Sequence, residues 1–143
     1  MDLAELNQLV ARGESERLEF KKSTGELKAG MQSLCAMLNE SGGMVVFGVT
    51  ANGKVVGQDV TDATLQEAAR EIKKLEPAAT IAQSMVPVAG SLRVLVLEAA
   101  QAPGGPFVFD GRAYKRIGPT TSRMPQAEYQ ERLLARTQAI HRW

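Results

Sequence analysis

The stretch Asn39-Glu-Ser-Gly-Gly-Met-Val-Val-Phe-Gly-Val-Thr-Ala-Asn-Gly-Lys-Val-Val-Gly57 constrains the fold more than any other part of the chain. It follows Leu27, Met31, Leu34, Cys35 and Leu38, whose spacing predicts one buried helical face. Gly42-Gly43 then caps the helix and turns the chain, because glycine enters left-handed backbone conformations without steric cost. Met44 to Val49 is an apolar run of strand length. Asn52-Gly53 favours a tight hairpin turn that brings Lys54 to Gly57 back as a second strand.

Upstream, Glu14-Ser-Glu-Arg-Leu-Glu-Phe-Lys-Lys22 sets the acids Glu14 and Glu19 beside the cations Lys21 and Lys22. Leu18 and Phe20 sit two apart, so in a strand over about Arg17 to Lys22 Glu19 projects from the opposite face. An acid and its neighbouring cations are thereby brought next to a future core.

The rest of the chain reads in alternating elements. Leu3, Leu6, Leu9 and Val10 mark a first helix that Gly13 stops. Thr61 or Asp62 caps a helix with apolar face Leu65, Ala68, Ala69, Ile72 and Leu75, which Pro77 ends. Ala79 to Val88 and the strongly buried Leu92 to Ala99 are strands joined at Gly90-Ser91. Phe107 to Phe109 and Ala113 to Ile117 form a hairpin across Asp110-Gly111. Pro125 opens a final helix with Tyr129, Leu133, Leu134 and Ile140 on its apolar side and Arg132, Arg136 and Arg142 outside. Short connections between strands predict an α+β fold, a mixed or antiparallel sheet flanked by three or four helices.

Length allows one domain, residues 1–143, with one sizeable core. No apolar run approaches the roughly 20 residues that span a bilayer. Met1 to Gly13 lacks the basic-then-apolar order of a secretory signal, so a cytoplasmic protein with no membrane partner is expected. The single cysteine, Cys35, reads as core filler, and with His141 at the far end no disulfide or Cys/His metal site can be assembled. A net charge of +1 gives no bulk signal of nucleic-acid binding, so phosphate contacts must come from local clusters.

The pattern Glu-x-x-x-x-Glu-Phe-Lys, then Ala-x-x-Asn-x-x-Gly-Gly-x-x-x-x-Gly-Val-x-x-x-Gly-x-x-x-Gly, with Tyr114-Lys-Arg-Ile-Gly118 as a late strand, resembles the Schlafen-like AlbA family. Its members usually open proteins that are read as transcriptional regulators in bacteria and archaea. The resemblance implies DNA binding, and a chain that continues beyond Trp143 in longer relatives.

Lys21, Lys22, Lys28, Arg112, Lys115, Arg116 and Arg123 are the candidate phosphate contacts. Alternation puts Arg112, Tyr114 and Arg116 on one strand face, where an aromatic between two cations can stack on a base. DNA or RNA is the expected partner and no cofactor is expected. A homodimer would repeat the basic patch. Converging carboxylates can instead hold Mg²⁺ or Mn²⁺ for phosphodiester hydrolysis, and the resemblance assigns Glu14 and Glu19 to that role in nuclease relatives. A third acid of those relatives falls where this chain has Thr50-Ala51-Asn52, which argues against hydrolysis, with Asp59 and Asp62 the acids of the following loop. A protein-interaction or dimerisation module is the remaining alternative. Asn39 to Gly43 follows a helix and precedes a strand, the reverse of a phosphate-cradling loop, so it reads as a helix cap.

Overall fold

The computed structural model describes residues 1–140. His141, Arg142 and Trp143, together with the side chain of Ile140, lie outside the described residues. The first helix, α1 (Leu3–Ala11), opens with a capping box between Asp2 and Glu5, and Gly13 closes it at φ +81°. β1 (Leu18–Lys21) leads through a turn of 3-10 helix (Thr24–Glu26) into α2 (Leu27–Leu38), and β2 (Gly43–Phe47) follows. Next come β3 (Gln58–Asp59), α3 (Asp62–Ile72), β4 (Leu75–Glu76), β5 (Ile81–Ala89) and β6 (Leu92–Ala99). β7 (Val108–Phe109), β8 (Arg112–Ile117), β9 (Thr120–Arg123) and α4 (Gln126–Ile140) complete the chain. The class is α+β, as the sequence predicts.

Two sheets hold α2 between them. The larger one runs β1-β2-β6, with β1 and β2 parallel, β3 beside the start of β6, and β5 antiparallel on the other side of β6. The smaller one is β4-β7-β8-β9, antiparallel throughout. Strand alternation sorts the larger sheet's side chains: Leu18, Phe20, Val46, Val94 and Val96 meet α1, whereas Val45, Phe47, Leu95 and Leu97 meet α2. Because α2 is covered from both sheets, its buried set goes beyond the expected stripe to Gly30, Ser33, Ala36 and Met37. Gly30 is a packing glycine, since a Cβ there would come within 2.5 Å of the Phe47 ring.

The Gly-Gly segment is the helix cap foreseen. The Gly42 amide donates to Met37 O at 2.8 Å with φ +84°, and a side chain at Gly43 would strike Met37 Sδ and Arg17 O. The Asn52-Gly53 turn also forms, with the Gly53 amide donating to Thr50 O at 2.9 Å, but the return limb is a single Val49–Val55 bridge instead of a strand. The pairing that continues the sheet is made by Gln58 and Asp59, which the sequence reading leaves in a loop. β4 and β9 are likewise unforeseen.

Backbone directions across the larger sheet follow from one bond. The Met44 amide donates to Arg17 O at 2.9 Å, so Met44 and Val46 turn their backbone groups to β1 and Val45 and Phe47 turn theirs to β6. Their partners Leu97 and Leu95 are thereby used, which leaves Val94, Val96 and Glu98 for Val86, Ser84 and Ala82 of β5. Ile81, Gln83 and Met85 therefore point backbone donors and acceptors outward, and Pro87, which has no N–H, occupies the next outward position.

Candidate nucleic-acid interface

Of the residues singled out above, Glu19 and Arg116 take the most constrained positions. Both sit on inner strand faces against α2, Glu19 from β1 and Arg116 from β8, with 7% and 4% of their surface exposed. The guanidinium Nη1 donates to Glu19 Oε1 at 2.9 Å and to Thr121 Oγ1 at 2.8 Å. Nη2 donates to Ser15 O at 2.8 Å and Leu18 O at 3.3 Å, and Nε donates to Glu16 O at 3.3 Å. Five N–H groups thus meet five acceptors, the full capacity of the side chain. Ser33 of α2 completes the link, donating to Glu19 Oε2 and accepting from Thr121 Oγ1 at 2.9 Å. Lys21 Nζ stands 3.6 Å from Glu19 Oε2.

This arrangement corrects the reading of Tyr114 and Arg116 as an open stacking face. The two do share one face of β8, but that face packs on α2, and Tyr114 is 7% exposed. A cation on an alternating strand defaults to water only where nothing across the core can pair with it, and Glu19 does.

The acids do not form a metal clamp. Glu14 is exposed and its Oε2 accepts the Phe20 amide at 2.9 Å, while both oxygens of Glu19 are engaged by Arg116 and Ser33. Thr50 and Asn52 hydrogen-bond each other in their turn. Among the described residues no three His, Cys, Asp or Glu side chains gather as a metal site. As arranged here Glu19 is committed to a buried guanidinium and a serine hydroxyl, and Glu14 binds a backbone amide instead of facing it, so the two carboxylates do not present a converging pair to a Mg²⁺ or Mn²⁺ ion.

The other predicted cations divide by partner. Lys115 Nζ donates to Glu128 Oε1 of α4 at 2.7 Å. That bond, with the help of Arg132, holds the Glu128 carboxyl below its ordinary value. Arg132, expected on a solvated face, bonds Asn39 O at 2.8 Å and pairs with Glu40 and Glu128, which docks α4 on the end of α2. Lys22, Lys28, Arg112 and Arg123 are exposed and make no ion pair among the described residues.

Three of these four lie along one surface. Lys28 and Gln32 are four apart on α2 and share a face. With Phe109, Asp110, Arg112 and Tyr114 of the β7–β8 hairpin they line a depression of about 260 Å³. Arg112 also lines a smaller depression with Arg123 and Tyr129. Gln32 and Asp110 escape the sequence reading as site residues, because a lone polar residue on a helix and a turn aspartate carry no motif. A larger cavity of about 420 Å³, holding Arg12 and Arg17 over Leu9, Leu18 and Met44, shares no residue with this surface.

Over residues 14–125 the chain matches the family described as Schlafen, AlbA_2. The chain belongs to that family. A crystal structure of a Corynebacterium diphtheriae protein is similar to this AlbA_2 domain with a TM-score of 0.57 at 18% identity, covering 94% of this chain and 28% of that one. The solution structure of the N-terminal domain of a Nitrosomonas europaea protein, described as related to the ATP-dependent DNA helicase RecG, matches with a TM-score of 0.57 at 23% identity. It covers 87% of this chain and 94% of that one. These likenesses establish the fold. No curated protein matches the chain. No helix among the described residues is long and apolar enough to cross a membrane.

Proposed function

We propose that this AlbA_2 domain binds nucleic acid through phosphate contacts from Lys28, Arg112 and Arg123. The observation that carries the reading is the double membership of Arg112, which lines both depressions and so joins the α2 cation to the β9 cation along one surface. Since none of the three has an acidic partner among the described residues, a phosphate can approach without breaking an ion pair. With a net charge of +1, long-range steering is small and binding is weak and local. Phosphate contacts position a strand and carry little sequence information. The role of DNA-contacting part of a cytoplasmic transcriptional regulator comes with the family resemblance, and RNA is the other backbone these cations suit.

Fluorescence anisotropy with labelled DNA and RNA at low and high salt tests this. Replacing Lys28, Arg112 and Arg123 together by alanine is expected to reduce the slope of log affinity against log salt by about 2.1–2.7, since each phosphate contact contributes roughly 0.7–0.9. An unchanged slope removes the proposal, as does a lack of binding at low salt.

Self-association is a second reading with its own observation. Among the described residues β5 pairs with β6 alone, and its outward edge carries no charged side chain, blunted only near its end by Pro87 and the register shift that follows it. A second copy pairing there would double the phosphate contacts on one strand of nucleic acid.

A further inference from the structure

We infer that the depression between α2 and the β7–β8 turn takes a single unpaired guanine base, an inference that rests on the nucleic-acid reading above. Its volume of about 260 Å³ is below the roughly 300–1,000 Å³ of drug-sized sites, which suits one flat heterocycle. A base inside a duplex cannot enter such a site, so the ligand is a single strand or an opened one.

Asp110 carries the argument. It lines the depression together with two cations, Lys28 and Arg112, and a site built for phosphate alone is weakened by a carboxylate. An ionised carboxylate accepts hydrogen bonds and cannot donate, so its ligand must offer N–H groups. Guanine presents N1–H and its 2-amino group side by side, one for each carboxylate oxygen. Adenine and cytosine present an amino group beside a bare ring nitrogen, which would set lone pair against lone pair. Thymine and uracil flank their one N–H with two carbonyls. Gln32, both donor and acceptor, suits the remaining guanine edge. Phe109 and Tyr114 close the depression from below as largely buried core residues, while Lys28 and Arg112 meet the flanking phosphates.

The turn also holds Asp110 in place. Asp110 and Gly111 take φ +51° and +81°, the two-residue hairpin geometry, and the Asp110 amide donates to Lys74 O at 3.1 Å beyond the end of α3. Asparagine tolerates the same left-handed conformation, so Asp110→Asn changes the charge and keeps the turn.

The test is anisotropy at low salt with short single-stranded oligothymidines that carry one central guanine, adenine or cytosine, or none. The guanine strand is expected to bind about tenfold tighter than the all-thymine strand, the effect of one good bidentate pair. Asp110→Asn should abolish that preference without weakening binding to the all-thymine strand. Equal affinity for all four strands, or a guanine preference that survives in Asp110→Asn, overturns the inference and leaves the phosphate reading intact. Absence of binding to every strand overturns both.

Discussion

Glu19 and Arg116, 97 residues apart in the chain, meet at 2.9 Å and tie the larger sheet to the smaller one across α2. The acid of the Glu-Phe-Lys motif and the arginine of the Arg-Ile-Gly motif are therefore two ends of one structural bond in this chain. Removing Glu19 leaves the buried guanidinium without an acid, and removing Arg116 leaves the buried carboxylate only Ser33 and the longer contact to Lys21.

Arg116→Ala is accordingly expected to cost about 3–5 kcal/mol of folding stability, the range for breaking a buried pair from one side. Glu19→Leu combined with Arg116→Leu should cost less than the sum of the two single changes. Urea denaturation of the four proteins checks this. Additive losses would mean that the two side chains act independently.

Cys35 is fully buried, and burial pushes its thiol up from 9.0 to about 12, with the Tyr114 backbone drawing it partly back. The folded state thus favours the protonated thiol. Its contribution to stability is complete below the unfolded value and is lost as pH rises from 9.0 towards about 12. Iodoacetamide at mildly alkaline pH should label the urea-unfolded chain readily and the native chain hardly at all. Equal labelling rates would contradict the burial.

Glu128 shifts the opposite way, held below its ordinary 4.5 first by the Lys115 hydrogen bond and then by Arg132. Its contribution is complete above 4.5 and fades as acid carries the pH down through the lower folded value. The expected result is that α4 amides exchange faster at pH 3 than near neutrality, after correction for intrinsic rates, before the core amides do. Glu128→Gln should remove most of that difference.

The β5 edge predicts concentration-dependent dimers by light scattering. Gln83→Lys, which puts a charge on the edge strand, should return the protein to a 15.4 kDa species. A wild-type protein that stays at 15.4 kDa throughout the micromolar range would end the self-association reading.

Much of the frame was legible in the sequence because it is governed locally. The Asp110-Gly111 hairpin, the Gly42-Gly43 cap and the buried strand Leu92–Ala99 each follow from turn chemistry or apolar runs within a few residues. What escaped is set by partners far along the chain. Gln58 and Asp59 form a strand because the start of β6 offers an unpaired edge, with nothing in their own composition to announce it. Period-two alternation put Tyr114 and Arg116 on a common face correctly, but which face of β8 would be covered depended on Glu19 and Ser33. The surface cations behaved in the same divided way, since Lys115 is claimed by an acid on α4 whereas Lys28 meets none among the described residues.

Arg116 and Glu14 also determine how far an assembly could grow. On the outward side of β1 both backbone groups of Leu18 bond Ser15, Leu18 O also accepts from the Arg116 guanidinium, and the Phe20 amide donates to the Glu14 carboxylate. The β1 border of the larger sheet is thus largely closed from within, whereas β5 leaves its outward backbone groups open among the described residues. Endless edge-to-edge stacking needs a vacancy at both borders of every unit. With β1 closed in this way, pairing of larger sheets through β5 stops at two copies, so the arginine that fastens the core also helps to limit growth along that sheet.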